Sequence, residues 1–128
     1  MRLLLDTCAF IWLSREPDRL SQIASDAIRD DENNIYLCDV SIWEIVLKYH
    51  AGKLSLAVPP RQWVAEHTPF FQIERLPIQT EAIFASGELP PVHRDPFDRL
   101  IAAHAEINGL TVVSPDPAFA TLGVAVLW

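Results

Sequence analysis

Arg2-Leu3-Leu4-Leu5-Asp6-Thr7-Cys8 opens the chain and sets its fold. Three consecutive leucines predict a short strand that is buried on both faces, as the strands of parallel sheets are. An acid and a hydroxyl follow where this strand would meet solvent, and the apolar run 9–13 after them predicts a helix. A strand, an acid and a helix in this order begin a βα unit, and sites in open α/β sheets form at the carboxyl ends of strands. Asp6 is therefore the first candidate site residue.

The composition predicts one cytoplasmic domain that spans residues 1–128, because half of the residues are apolar and can form a core. A net charge of −7 argues against a broad basic surface for nucleic acid, but it allows contact with phosphates through bound cations. Two cysteines without metal-type spacing suggest a reducing compartment. Asp6 interrupts the leucines too early for a signal peptide, and no run approaches the roughly 20 apolar residues of a membrane span.

Strands and helices are predicted to alternate along the rest of the chain. Apolar runs predict further strands at 35–38, 70–76, 111–114 and 124–128. Helices are predicted at 7–14, after the N-cap Ser21, from the capping box Ser41–Glu44 to Gly52, from Pro59, at 80–86, from the N-cap Asp95 to Gly109, and after Asp116. This alternation predicts an α/β fold with a mainly parallel sheet that is covered on both faces.

Four acids share one local context, the junction between a strand end and a helix start. Asp6 and Asp116 follow the first and fourth predicted strands, while Glu44 and Asp98 are expected in the first turns of helices. In a parallel sheet all four would lie at the carboxyl edge. Each acid alone has an ordinary interpretation as a helix cap or first-turn residue, stabilised by about 0.3–1 kcal/mol through the helix dipole.

Taken together, the four carboxylates predict a metal site. No cluster of Lys or Arg lies near them in sequence, and helix N-termini of roughly +0.5 each would leave an excess charge of about −2, which suits one or two divalent cations. An all-oxygen site favours Mg²⁺ or Mn²⁺ over zinc, which would require His or Cys. Of the four histidines only His93, just before the acidic helix, deserves interest as a neighbour of the site. Such a metal activates water and orients a phosphodiester.

The motifs that carry these acids occur in a recognisable order: Leu3–Thr7, Ser41–Ile45, Gly52–Leu54, His93–Ala103 and Val113–Asp116. In this order they resemble the PIN-domain family, and within it the VapC-type toxins of bacterial toxin–antitoxin pairs. The resemblance implies a PIN-like three-layer α/β/α sandwich with a central, mainly parallel sheet of about five strands. It also implies an endoribonuclease that depends on Mg²⁺ or Mn²⁺, cleaves RNA, is restrained by a small antitoxin, and usually forms a homodimer.

Carried over motif by motif, the catalytic and metal-binding quartet would be Asp6, Glu44, Asp98 and Asp116. Asp98 fits the third acid of the family's quartet because it directly precedes the run 99–103. Asp95 is then a helix cap that could also support the site.

The resemblance also implies three supporting side chains around the quartet. Ser114 stands where the family more often has threonine, and its hydroxyl and that of Thr7 are expected to orient a ligand. Arg99, from its place beside Asp98, has two interpretations: a structural residue that orients carboxylates or completes ion pairs, or a contact to substrate phosphates.

Two rival functions remain open at this stage. A catalytically lapsed PIN-like module would sequester RNA or a protein partner without turnover, although a lapsed site is free to lose its acids and this chain keeps all four. A phospho-receiver domain is also small and acid-edged, but it needs a lysine on a late strand, and the chain has no lysine after Lys53. Exposed apolar residues around Trp63 or Phe70-Phe71 are candidates for a dimer interface.

Overall fold

The computed structural model describes all 128 residues and contains one five-stranded sheet. The strands are β1 (Arg2–Leu5), β2 (Asn34–Cys38), β3 (Ile73–Leu76), β4 (Thr111–Val113) and β5 (Val126–Leu127). They run in the order β3-β2-β1-β4-β5, and every neighbouring pair is parallel. The predicted parallel sheet of five strands is confirmed, with the leucine strand at its centre and the strand of the 70–76 segment at one edge.

Seven α-helices cover the two faces of this sheet. They are α1 (Thr7–Arg15), α2 (Gln22–Arg29), α3 (Asp39–His50), α4 (Pro60–Phe70), α5 (Thr80–Glu88), α6 (Pro96–Asn108) and α7 (Ala118–Thr121). Successive side chains of a strand point to opposite faces, so Leu3 and Leu5 enter one core while Leu4 enters the other. The first core includes Phe10 and Ile45, and the second is built on α6 and α7. The predicted three-layer α/β/α sandwich is confirmed.

The central position of β1 decides where a site can form. Strand β2 pairs with one side of β1 and strand β4 with the other, so the direction of the chain crossovers changes at β1. Helices α1 and α3 both start where these strands end, and the backbone N–H of Asp6 extends the sheet by donating to the Val113 carbonyl at 3.1 Å. Such a switch point is where open α/β sheets bind their ligands.

Several predicted helix ends are confirmed in detail. Asp95 caps α6 by accepting hydrogen bonds from the backbone N–H groups of Phe97 and Asp98, and Ser21 caps α2. Gly109 ends α6 in the left-handed conformation with φ +64°, where glycine is favoured. None of the helices is both long enough and apolar enough to span a membrane.

The predicted start of α3 at Ser41 is wrong. The helix begins at Asp39, directly after β2, and Ser41 lies inside it as a fully buried residue. Val40 is buried as well, so packing of this first turn against the second core extends the helix towards the strand. In consequence Glu44 lies in the second turn and does not cap the helix.

The predicted strand at 70–76 is also too long, because α4 continues to Phe70 and Gln72 reverses the chain with φ +55°. Only Ile73–Leu76 pairs with β2. Of the suggested interface residues, Trp63 is buried in the first core, whereas Phe70 is exposed.

Candidate active site

A cleft of about 550 Å³ lies at the carboxyl edge of the central strands and collects the predicted acids. It is lined by Asp6, Thr7, Glu44, Asp95, Asp98 and Asp116, together with Cys8, Lys48, Lys53 and several apolar residues. A second depression of about 520 Å³ beside α3 and α4 contains no carboxylate among its lining residues. The structure therefore brings all four acids of the predicted quartet to a single place.

Asp6 is the most deeply buried acid of the cleft, with 4% of its surface exposed. Its Oδ1 accepts a hydrogen bond from the Ala9 backbone N–H at 2.7 Å, which caps α1, and its Oδ2 accepts one from the Ser114 hydroxyl at 2.5 Å. Burial is the main reason that the pKa of Asp6 rises to about 7; the charges of Asp98 and Glu44 act in the same direction, and the two hydrogen bonds act against it. The carboxylate is thus held in place by donors while its environment opposes its ionisation.

Ser114 serves two groups at once. Its Oγ donates to Asp6 and accepts the backbone N–H of Asp116 at 3.0 Å, so one hydroxyl joins the end of β1 to the segment that follows β4. Ser114 lies beside the acids, and its hydroxyl orients the Asp6 carboxylate rather than facing an open position. Its predicted role in orienting a ligand stays a prediction.

Glu44 is held from two sides. The Thr7 hydroxyl, which also lies 3.0 Å from Ser41 Oγ, donates to Oε1 at 2.7 Å, and the Lys48 ammonium bonds Oε2 at 2.5 Å. Burial lowers the pKa of Lys48, but the hydrogen bond and charge of Glu44, together with the charges of Asp95 and Asp98, outweigh burial, and the net shift is upward. Ser41, which was predicted to cap the helix, supports Thr7 instead.

Asp98 lies in the first turn of α6, as predicted, and faces a histidine. Nε2 of His93 donates a hydrogen bond to Asp98 Oδ2 at 2.9 Å. Burial raises the pKa of Asp98, and the neighbouring charges of Asp95 and Glu44 act in the same direction against the bond from His93.

Within the predicted quartet, Asp98 and Asp116 are the acids that keep an open carboxylate oxygen. Asp116 uses Oδ1 to accept the Ala118 backbone N–H at 2.9 Å, and Asp98 uses Oδ2 for His93, so each retains one carboxylate oxygen without a hydrogen bond. Asp6 and Glu44, by contrast, accept hydrogen bonds on both oxygens. The side chains best placed to hold a cation are therefore Asp98 and Asp116, with His93 beside them.

Arg99 supports the site without entering the cleft. Its guanidinium donates five hydrogen bonds, at 2.8–3.1 Å, to the backbone carbonyls of Ser86, Leu89, Pro90 and His93. A guanidinium has five N–H donors, so none remains for a substrate phosphate. Of the two interpretations given above, the structure favours a structural role, in which Arg99 fixes the connector between α5 and α6.

Two lysines also reach the cleft. Lys48 could be expected from its position four residues after Glu44, but Lys53 has no such signal and arrives because the chain turns after α3. The fold thus brings two cations to the acids, although they do not form a cluster of Lys or Arg in the sequence. The Cys8 thiol also lines the cleft, and burial, with the nearby Asp6 charge, raises its pKa to about 11.

Known proteins resemble this chain over most of its length. The family model described as PIN domain matches residues 3–124. Ribonuclease VapC22 of Mycobacterium tuberculosis is 32% identical over 116 residues, which cover 88% of this chain and 85% of that protein.

Solved structures share the fold. FitAcB from Neisseria gonorrhoeae is 25% identical with a TM-score of 0.64, and the match covers 97% of this chain and 95% of that chain. DNA-bound VapBC from Salmonella typhimurium is 22% identical with a TM-score of 0.70, and the match covers 98% and 96% of the two chains. The second likeness, at this low identity, supports the fold alone.

Proposed function

Because this chain belongs to the PIN-domain family and is a VapC-type member of it, we propose that it is a metal-dependent endoribonuclease. It would act on RNA in the cytoplasm as the toxin of a VapBC-type toxin–antitoxin system. The observation that carries the proposal is the single cleft that gathers Asp6, Glu44, Asp98 and Asp116 in a chain 32% identical to a ribonuclease. Fold likeness alone would not support an activity, since one fold hosts many functions.

The residues of the cleft fit a divalent cation. Four carboxylates face one another with Lys48 and Lys53 as the nearby cations, and the raised pKa of Asp6 reflects this crowding in addition to burial. Carboxylate oxygens are the ligands that Mg²⁺ and Mn²⁺ prefer. Asp98 and Asp116 would hold the ion through their open oxygens, and the remaining lone pairs of Asp6 and Glu44 would complete the site. A bound cation of this kind activates water and neutralises charge on a scissile phosphodiester.

The other groups of the cleft would prepare the acids for this task. Ser114 and the Ala9 N–H fix the direction of Asp6, and Thr7 and Lys48 fix Glu44. Preorganised side chains avoid the cost of reorientation during the reaction. Lys53 supplies a positive charge at the cleft without a partner carboxylate in the structure, so it is the candidate contact for an RNA phosphate.

The proposal extends to partners and assembly. A small cognate antitoxin would restrain the nuclease, by analogy with the DNA-bound VapBC among the solved neighbours. The chain would act as a homodimer formed from single domains of residues 1–128. Co-expression with the antitoxin should suppress cleavage, and light scattering on the purified chain should give twice its mass of 14.4 kDa.

The test is cleavage of structured and unstructured RNA by the purified chain with Mn²⁺, with Mg²⁺, or with excess EDTA. We expect cleavage with either metal and none with EDTA. D98N and D116N should each reduce the rate at least a hundredfold while thermal melting shows a folded protein, since each removes an open ligand oxygen. The matched control is D31N, which changes an exposed acid in a turn outside the cleft.

Undiminished cleavage in EDTA or by D98N would contradict the proposal. Binding of RNA without cleavage by the wild type, in either metal, would instead indicate the catalytically lapsed module that the sequence leaves open. Gel-shift measurements on the same RNA separate these two outcomes.

A further inference from the structure

One nitrogen ligand lies next to the open oxygens of the candidate metal site. His93, Asp98 and Asp116 each present a ligand atom, and these atoms all lie within 4.8 Å of one another. His93 comes from the connector before α6, Asp98 from the first turn of α6, and Asp116 from the segment after β4. Three separate segments thus converge on one position.

The spacing of these atoms suits coordination. Two ligand atoms at right angles, each about 2.1 Å from an ion, are about 3.0 Å apart. Nε2 of His93 and Oδ2 of Asp98 are 2.9 Å apart in the structure. An ion that replaces the proton shared by these two atoms would bind Nε2 and Oδ2, so Asp98 would contribute Oδ2 in addition to its open oxygen. The structure already holds both side chains at the separation that coordination requires.

The position of His93 is fixed by more than this one bond. Arg99, the residue after Asp98, donates to the His93 carbonyl at 2.9 Å, to two other carbonyls of the same connector and to the Ser86 carbonyl at the end of α5. A bidentate, rigid guanidinium holds a segment more firmly than a lysine could. The histidine and the acid are therefore held relative to each other by the same helix turn, and little order is lost when both bind one ion.

We propose that His93 coordinates the active-site cation through Nε2, together with Asp98 and Asp116. This inference rests on the proposed metal-dependent function. It also specifies the metal, because imidazole binds Mn²⁺ and later transition metals better than Mg²⁺. The site is accordingly selective for Mn²⁺ over Mg²⁺, in contrast to a site of carboxylates alone.

The experiment measures metal binding directly, without RNA. Pulsed electron paramagnetic resonance of the wild type with one equivalent of Mn²⁺ should show modulation from a coordinated ¹⁴N nucleus. Titration should give an Mn²⁺ dissociation constant that rises about tenfold or more in H93Q, while the Mg²⁺ constant, measured by competition, changes much less. The control is H50Q, which removes an exposed histidine outside the cleft.

The H93Q substitution distinguishes coordination of the cation by His93 from a role in which His93 only orients Asp98. The glutamine amide N–H can still donate to Asp98. Its amide nitrogen does not ligate Mn²⁺, and its carbonyl oxygen would ligate Mg²⁺ as well as Mn²⁺. Loss of both the ¹⁴N modulation and the preference for Mn²⁺ in H93Q therefore identifies the missing imidazole. Retention of wild-type Mn²⁺ affinity and selectivity by folded H93Q, or the absence of ¹⁴N modulation in the wild type, overturns the proposal and leaves His93 as a residue that only orients Asp98.

Failure of the His93 ligand proposal can be distinguished from failure of the proposed nuclease function. A wild type that shows ¹⁴N modulation but cleaves no RNA supports the ligand and refutes the nuclease. Metal-dependent cleavage without ¹⁴N modulation supports the nuclease and refutes His93 as a ligand.

Discussion

Ionisation of Asp6 should lower the free energy of unfolding of the metal-free protein. The pKa of this buried acid rises from its ordinary value of 3.8 to about 7. At about 1.36 kcal/mol for each pH unit, the folded protein loses about 4 kcal/mol of stability relative to the unfolded chain once Asp6 is ionised in both states. Between pH 4 and pH 7 the folded state binds more protons than the unfolded state, so stability falls as pH rises through this window.

The loss of folding stability that Asp6 causes is incomplete at pH 5 and nearly complete by pH 8. From the same two pKa values the penalty is about 2 kcal/mol at pH 5 and about 4 kcal/mol at pH 8, a difference of roughly 2 to 3 kcal/mol. D6N carries no charge and should escape this loss, because asparagine remains a good N-cap and can still accept from the Ala9 N–H. We therefore expect D6N to be more stable than the wild type at pH 8 while it cleaves no RNA.

The assay is urea unfolding of both proteins at pH 5 and pH 8 in EDTA. The difference between the two proteins isolates Asp6 from other titrating groups. Buried His104 is one such group: burial lowers its pKa, so its contribution to stability is lost as pH falls below its unfolded value, opposite in sign to Asp6. D31N should retain the pH dependence of the wild type. Equal losses of stability in wild type and D6N between the two pH values would refute the reasoning.

Added metal should reverse the penalty. A cation that binds only the folded state stabilises it by about 2.7 kcal/mol at a concentration one hundred times its dissociation constant. With Mn²⁺ at pH 8 the wild type should approach or exceed the stability of D6N, whose gain should be smaller. A site that trades stability for function in this way is common among enzymes.

Two further predictions concern the scaffold. R99K should destabilise the protein by about 2 kcal/mol and expose the 86–93 segment to limited proteolysis, because lysine cannot replace the five hydrogen bonds that the guanidinium donates to partly buried carbonyls. The control is R94K at an exposed arginine, and equal melting temperatures of the two variants would argue against this role of Arg99. G87A should stabilise the protein by about 0.5–1 kcal/mol, because a Cβ at this position in α5 meets nothing within 4 Å. G109A should destabilise it by about 1 kcal/mol, because Gly109 has φ +64°. Urea unfolding measures both effects, and a G109A protein more stable than G87A would contradict the helical conformation of Gly87 and the left-handed conformation of Gly109.

The order of elements was predictable because each signal is local. The leucine run, the cap Asp95 with its following proline, and the terminal Gly109 depend on a few neighbouring residues, and the structure confirms all three. The alternation of strands and helices then requires a parallel sheet, and a parallel sheet brings its carboxyl ends together. The meeting of the four acids follows from this topology, since it depends on chain order rather than on side-chain packing.

Only the tertiary structure decided how each acid is used. Whether a carboxylate oxygen is occupied or open depends on donors that arrive from distant parts of the chain, as Ser114 reaches Asp6 and Thr7 reaches Glu44. The role of Arg99 likewise depends on carbonyls of a folded connector that has no periodic pattern. The sequence alone therefore determined where the candidate site lies, while packing between distant segments determined which of its atoms can hold a cation.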